Sequence, residues 1–350
     1  MTEYQEKPAG QAPNRVTMRD VAALAGVSLK TVSRVANGEV RVTESTRSRV
    51  QAVMDQLGYS RDLLAGSLRR IDGRTQSIAL VLIRTDDHYD AAIARAVQLG
   101  AHARQVAVFI STTDESPDRE RELVAAFTSR RVDGLIMMPS GDDHSYLRSL
   151  LDMGKPVVAV DREPTGVKVD CVLTDHLESA RLATEHLIKG GHRRIAFLGD
   201  LPEVPSARAR LEGYRQAMAV ANAPVDPDLV SLGNHTEEQA HNTTLRMVTS
   251  TNPPTAVFSS QDVVTFGTVR ALHERSLQRQ IALVGFDDFP MADLLEPALT
   301  VIAQDPQDIG RLAVERVFQR LTQPGLDPVR TVVPARLIRR GSGEIPPPNL

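Results

Sequence analysis

At 350 residues the chain exceeds one typical domain and suits two or three. Its composition, 41% hydrophobic and 24% charged, is that of a soluble globular protein, and a single cysteine, Cys171, excludes an internal disulfide framework and a cysteine-built zinc site. The net charge of −3 conceals an asymmetry: residues 16–70 hold nine Lys/Arg against five Asp/Glu, whereas residues 71–350 hold thirty against thirty-seven. A basic head precedes an acidic body, the balance expected when one part of a chain meets nucleic acid.

The first fifteen residues, MTEYQEKPAGQAPNR, are polar, lack the apolar segment of a signal peptide, and read as a disordered tail. No stretch approaches the roughly 18–20 apolar residues of a membrane span, so a cytoplasmic chain is expected. Residues 16–59 then predict three short helices. Thr17 and Asp20 can cap the first reciprocally, with Val21, Leu24 and Ala25 as its apolar stripe. Ala25-Gly26-Val27 turns the chain, and Ser28 caps a second helix whose inner face is Val32 and Val35. Asn37-Gly38 closes that helix, and Thr43 opens a third with Val50, Val53, Met54 and Leu57 at helical spacing before Gly58.

Two short helices joined by a glycine turn in a basic unit form the helix-turn-helix pattern, whose second helix enters the major groove. Its outward residues are Leu29, Lys30, Thr31, Ser33 and Arg34. Thr and Ser suit phosphate oxygens, and Arg34 can fork onto the O6/N7 edge of guanine. Helix pattern alone fits a small bundle with a solvated basic face equally well. The residues themselves decide. DVAALAGVS, TVSRVANG and the spacing to LGY closely resemble the DNA-binding head of the lac/gal repressor (LacI/GalR) family. The resemblance implies base selectivity from Leu29 and Lys30, a base contact from Arg34, and backbone or nearby contacts from Thr17, Ser28, Thr31, Ser33, Asn37, Thr43 and Tyr59.

Residues 60–74 follow as hinge helix and linker. In the family the hinge pairs with its dimer mate in the minor groove, where a leucine wedges between base steps and kinks the duplex. Counting from Tyr59, that leucine is Leu68, with Ala65 near the groove floor. Three positions depart from the family pattern: Arg61 replaces the usual proline, Asp62 an asparagine-like residue, and Gly66 an Arg or Gln. Glycine costs about 1 kcal/mol of helix propensity relative to alanine, so this hinge is expected to depend on DNA for its helix.

From Ser77 onward short apolar strands alternate with amphipathic helices. SIALVLI, QVAVFIS, GLIMMP, KPVVAV, RRIAFLGD, TAVFSS and IALVGFDD read as fully buried parallel strands. PDRERELVAAFTSR and HLESARLATEHLIKGG read as helices between them. This alternation predicts a doubly wound α/β body with ligands at the carboxyl ends of strands. Its length requires two lobes and a cleft. There is no G-x-G-x-x-G after a strand, no Walker loop, no G-x-S-x-G elbow and no H-E-x-x-H, so no enzyme, no cofactor and no metal is expected.

SRRVDGLIMMPS, GKPVVAVDR, SARARLEGYRQAM, FSSQDVVTFGTVRAL and IALVGFDD resemble, in order, the family's effector-binding core, which has the periplasmic sugar-binding protein fold. The resemblance implies an effector and dimerisation domain over 75–340, a flexible tail over 341–350, and crossovers between lobes near 161–175, 288–304 and 328–333. Arg210 offers a planar five-donor fork, and Asp287, closing IALVGFD, an acceptor pair for neighbouring hydroxyls. Gln261 and Asp262 stand where the family places Asn-Asp; Ser206 and Asp161 complete the expected polar ring. Where S-N-P-F-F is common, this chain has TDDHYDAAI. There Tyr89 can stack on a sugar face and Asp87 can accept its hydroxyls. The function expected is a dimeric transcriptional repressor on a pseudo-palindromic operator, controlled by a sugar or sugar derivative. A nucleobase or another metabolite is the alternative effector. A periplasmic-type solute-binding protein would need a signal peptide and no basic head.

Overall fold

Three helices, α1 (Met18–Ala25), α2 (Leu29–Ala36) and α3 (Glu44–Leu57), form where the capping residues and apolar spacing place them. The Asp20 carboxylate accepts the Thr17 backbone N–H at 2.8 Å and its hydroxyl at 2.7 Å, fixing the start of α1. Ser28 Oγ accepts the Thr31 N–H at 3.1 Å at the start of α2. Gly26 and Gly58, at φ 61° and 62°, end α1 and α3 in the left-handed conformation that glycine adopts without steric cost. Val21, Val32 and Val50 are fully buried and meet Val35, Val53 and Met54 in one small core.

These helices belong to the first of two units, which part between Thr75 and Gln76. The computed structural model describes residues 16–36, 39, 41–59 and 74–348. The expected N-terminal tail, the Asn37-Gly38 helix end, and the hinge with Ala65 and Leu68 lie outside the described residues. Among the described residues no helix is long and apolar enough to cross a membrane.

The second unit holds two six-stranded sheets. The first comprises β1 (Ser77–Leu82), β2 (Ala107–Thr112), β3 (Gly134–Met137), β4 (Val157–Asp161), β5 (Asp170–Thr174) and β11 (Arg330–Val333). They lie in the order β2-β1-β3-β4-β5-β11, all parallel. The second comprises β6 (Ile195–Leu198), β7 (Val230–Ser231), β8 (Ala256–Ser259), β9 (Ala282–Phe286), β10 (Thr300–Ala303) and β12 (Arg336–Ile338). Their order is β7-β6-β8-β9-β10-β12, with only β12 antiparallel. Both sheets share the 2-1-3-4-5 winding, whose strand order reverses beside the first strand. Helices α4 (His88–His102), α5 (Pro117–Ser129), α6 (Arg148–Asp152), α7 (His176–Lys189), α8 (Pro205–Val220), α9 (Glu237–Val248), α10 (Asp262–Glu274) and α11 (Pro306–Thr322) complete the unit. Apolar residues of α4 and α11 share the core of the first sheet, including Ile93, Val97, Ala313 and Val317.

Three expectations need correction. The chain crosses between lobes in short steps, Thr174–His176, Ala303–Pro306 and Val333–Arg336. Most of the three expected segments is instead in-sheet strand or its approach. β2 is not fully buried: with a neighbour on one side only, it leaves Phe109 43% exposed. Residues 341–348 are not a loose tail, because Ser342 Oγ donates to the Leu283 carbonyl at 2.6 Å and accepts the Thr300 N–H at 2.8 Å. The hydroxyl thereby pins a 3₁₀ turn, Ser342–Glu344, against the second sheet.

Candidate functional site

On α2 the burial of Val32 and Val35 turns the opposite face outward. Leu29 and Lys30 are exposed, and Ser33 and Arg34, one turn on, are half-buried. Leu29 is 46% exposed, an apolar side chain presented with a lysine and an arginine rather than packed in the core. Ser28 and Thr31 share a hydrogen bond at 2.9 Å. Arg34 lies 3.7 Å from the Glu39 carboxylate, a loose, half-exposed pairing that a phosphate or guanine edge could displace. Thr17 and Thr43 are exposed at the starts of α1 and α3, and Tyr59 packs partly against the head core.

In the body, all eight residues expected to bind an effector line one cleft: Asp87, Tyr89, Asp161, Ser206, Arg210, Gln261, Asp262 and Asp287. They reach it because both sheets aim their carboxyl strand ends into the gap, the place where doubly wound sheets present ligand groups. Asp161 ends β4 and Asp287 follows β9, the fourth strand of each winding, and both are left-handed at φ 64° and 71°. Aspartate tolerates that backbone better than most residues, at a cost of order 1–3 kcal/mol.

Arg210, on α8, is only 7% exposed. Its Nη1 donates to the Ser260 carbonyl at 2.6 Å, its Nη2 lies 3.2 Å from His176 Nδ1, and its guanidinium lies 3.8 Å over the Phe286 ring. His176 Nε2 lies 3.2 Å from Asp161, so this imidazole links Asp161 of the first lobe to Arg210 of the second. The Tyr89 hydroxyl donates to Asp161 at 3.0 Å. Asp87 caps α4 by accepting the Tyr89 and Asp90 N–H groups at 2.8 and 3.0 Å.

Several lining residues were not anticipated: Arg84, Asp90, Glu115, Arg162, Asp200, His235 and Gln304, besides His176 behind them. Arg162 pairs with both Glu115 oxygens at 2.8 and 2.7 Å, and His235 meets Asp200 at 2.8 Å. Arg162 directly follows Asp161, and Gln304 directly follows β10, so attention to every strand end would have found both.

The matched aspartates differ in proton affinity. Burial opposes ionisation of Asp161, but His176, with Arg162 and Arg210, outweighs it and holds the carboxyl well below the usual range. Burial, helped by the charges of Asp262 and Asp87, raises Asp287 to about 7 despite Arg210. Burial and Asp87 likewise raise Asp90 to about 8 and Asp262 to about 6.

These shifts predict the pH dependence of the ligand-free chain. A carboxyl with a raised folded pKa stabilises the fold fully below its unfolded value, about 3.9, and that contribution is lost as pH rises through the folded value. Stability should therefore fall between pH 5 and 8 as Asp262, Asp287 and Asp90 ionise. Asp161 acts in the opposite sense, but only below about pH 4. Buried His144 and His192, which resist protonation, act oppositely near pH 6, so a variant is needed to isolate the aspartates. Thermal melts of Asp287→Asn against the parent chain should show a shallower decline over this range. Parallel profiles would refute the assignment.

A basic helix-turn-helix unit, together with a two-lobed α/β unit whose strand ends enclose a polar cleft, defines a DNA-binding regulator with an effector-binding core. Residues 17–62 match the description "bacterial regulatory proteins, lacI family", and residues 184–343 match the periplasmic binding protein-like domain. The chain belongs to the lacI family. It is 31% identical over 331 residues to the ribose operon repressor of Escherichia coli (strain K12), covering 93% of this chain and 99% of that protein. It is 32% identical over 315 residues to the HTH-type transcriptional repressor PurR of Haemophilus influenzae (strain PittEE), covering 87% and 91%. Among solved structures, the lac repressor dimer bound to operator and the anti-inducer ONPF matches with a TM-score of 0.82 at 26% identity, over 94% of this chain and 99% of that one. These relatives are repressors rather than enzymes. Among the described residues no group of three or more His, Cys, Asp or Glu side chains is placed to hold a metal ion.

Proposed function

We propose that this protein is a cytoplasmic repressor that binds a pseudo-palindromic operator as a dimer and changes its grip when a sugar or sugar derivative enters the cleft. The observation that carries the effector reading is the convergence of Asp87, Tyr89, Asp161, Ser206, Arg210, Gln261, Asp262 and Asp287 on one cavity. Carboxylates, amides and guanidiniums at the ends of both sheets suit a ring of hydroxyls presented on several sides. A planar nucleobase wants aromatic faces, and among the described lining residues only Tyr89, held through its hydroxyl, and the imidazole of His235, held by Asp200, supply them. The effector acts by preferring one lobe arrangement; a shift from 1:99 to 99:1 requires about 5.5 kcal/mol of differential affinity.

On DNA, Leu29, Lys30 and Arg34 read bases, while Thr17, Ser28, Thr31, Ser33, Asn37, Thr43 and Tyr59 hold the backbone or lie near it. Ala65 and Leu68 enter the minor groove. Selection from a library of palindromic duplexes, followed by anisotropy titration at several salt concentrations, tests this. The observed binding constant should fall steeply with added salt, by about 0.9 log units per log unit of salt for each phosphate contacted. Arg34→Ala should cost about 1–3 kcal/mol and relax preference at one position of each half-site. Unchanged affinity and preference in that variant would show that Arg34 does not read the operator.

A further inference from the structure

The cleft holds three guanidiniums, and each is already engaged. Arg84 donates to both Asp86 oxygens at 2.9 and 2.8 Å. Arg162 is clamped by Glu115, and Arg210 is held by the Ser260 carbonyl and His176. Four carboxylates in the same cleft are in the opposite situation. Asp87 and Asp90 come from the first lobe and Asp262 and Asp287 from the second. Among the described residues, none of the four has an arginine, lysine or histidine side-chain nitrogen within ion-pair distance. Their hydrogen-bond partners are backbone N–H groups and the Gln304 amide. Like charges therefore face each other across the gap, and Asp87 raises the proton affinity of both Asp262 and Asp287.

Gln304 supplies an independent sign. It is 8% exposed and lines the cleft; its Nε2 donates to Asp287 at 2.7 Å, while its Oε1 is buried without a donor. A buried acceptor without a partner costs free energy until a donor reaches it. Once ionised, the four carboxylates accept, as Gln304 Oε1 does, so the ligand that draws their protons off donates and brings positive charge.

We propose that the effector is a polyhydroxylated amine, whose protonated amino group sits between Asp87 of one lobe and Asp262 and Asp287 of the other. This rests on the reading of the cleft as a sugar-type effector site. The ammonium replaces repulsion between the lobes by attraction to both, which gives the ligand the differential affinity for a closed arrangement that a population shift requires. An anionic ligand, such as a sugar phosphate or uronic acid, meets four carboxylates and no unengaged guanidinium. A neutral sugar satisfies Gln304 but leaves the repulsion in place.

The test uses the full chain and matched probes: D-glucosamine with D-glucose, D-galactosamine with D-galactose, D-mannosamine with D-mannose, then glucose 6-phosphate and magnesium chloride. Thermal shift and titration calorimetry are read at pH 6.0 and 7.5. An amino sugar should bind at least tenfold tighter than its hydroxyl partner. Its heat should depend on buffer ionisation, because the cation drives protons off the raised carboxyls. Asp262→Asn, whose amide oxygen can keep the bond from the Val263 N–H, should bring the ratio of amine to hydroxyl-partner affinity to within about twofold, whatever the change in either affinity alone. A neutral sugar that equals its amine, or tighter binding of the phosphate or magnesium, overturns the charge inference and leaves the effector reading of the cleft intact. A panel in which no sugar of any charge binds sinks both.

Discussion

Replacing Arg210 with alanine should abolish the effector response while leaving operator affinity within about threefold of the parent. The guanidinium carbon lies over Phe286, 3.8 Å from the ring centroid, and the group supplies donors to the Ser260 carbonyl and His176 Nδ1. Its removal leaves two buried acceptors unpaired, each costing about 1–3 kcal/mol. It also deprives Asp287 of the positive charge that most favours its ionised form. Ligand affinity should fall at least a hundredfold, about 2.7 kcal/mol, since truncating one member of a buried charged network costs 2–5 kcal/mol. Arg210→Lys should restore little, because a point charge cannot stack on Phe286 and span two acceptors in one plane. Anisotropy with the operator, with and without the ligand that changes the parent chain's operator affinity, measures both effects. A variant that still responds would place the effector elsewhere; one that no longer binds operator would show Arg210 to be structural.

That such a residue could be named before any coordinates follows from the family resemblance of SARARLEGYRQAM, while the strands around it follow from local rules. Strands in a doubly wound fold announce themselves as apolar runs, and their carboxyl ends are where ligand groups gather. Asp161 and Asp287 stand at such strand ends, whereas Ser206, Arg210, Gln261 and Asp262 lie on or at the start of helices and are implied by the family resemblance. The helical head was legible because caps and core valines are spaced by a few residues. What escaped depends on pairs distant in sequence. Arg162 meets Glu115 across 47 positions and His176 meets Arg210 across 34. No local pattern foretells that the Tyr89 hydroxyl turns to Asp161, or that Asp161 and Asp287, matched in position, titrate in opposite directions. The raised carboxyls are a property of the assembled cleft: burial supplies most of the shift, and burial is decided by the whole fold. The exposed edge strand β2 was misjudged for a related reason, since its sequence has the apolar content of a central strand.

Gly213→Ala should destabilise the second lobe by about 1–2 kcal/mol and disturb the cleft from a distance. Gly213 lies inside α8, where helix propensity alone gives alanine an advantage of about 1 kcal/mol. Packing predicts the opposite sign. A Cβ at this position would run into the Leu177 carbonyl of α7 and lie 3.0 Å from both the Ala180 Cβ and the Arg181 backbone nitrogen. A carbonyl on a neighbouring helix cannot rotate aside as a side-chain tip can, so α8 must move away from α7. Overpacking of this kind typically costs 1–3 kcal/mol, which for a domain of this size lowers the melting temperature by several degrees. The movement has a functional readout because α8 carries Ser206 and Arg210, while α7 begins at His176. Separating the helices should lengthen the already marginal 3.4 and 3.2 Å contacts from Arg210 to His176 and weaken effector binding as well as stability. Gly325→Ala is the control: a Cβ there meets nothing within 4 Å, so it should leave both quantities near the parent values. A Gly213→Ala chain that melts at or above the parent temperature would mean that propensity outweighs packing at this crossing and that the spacing of α7 and α8 does not set the position of Arg210.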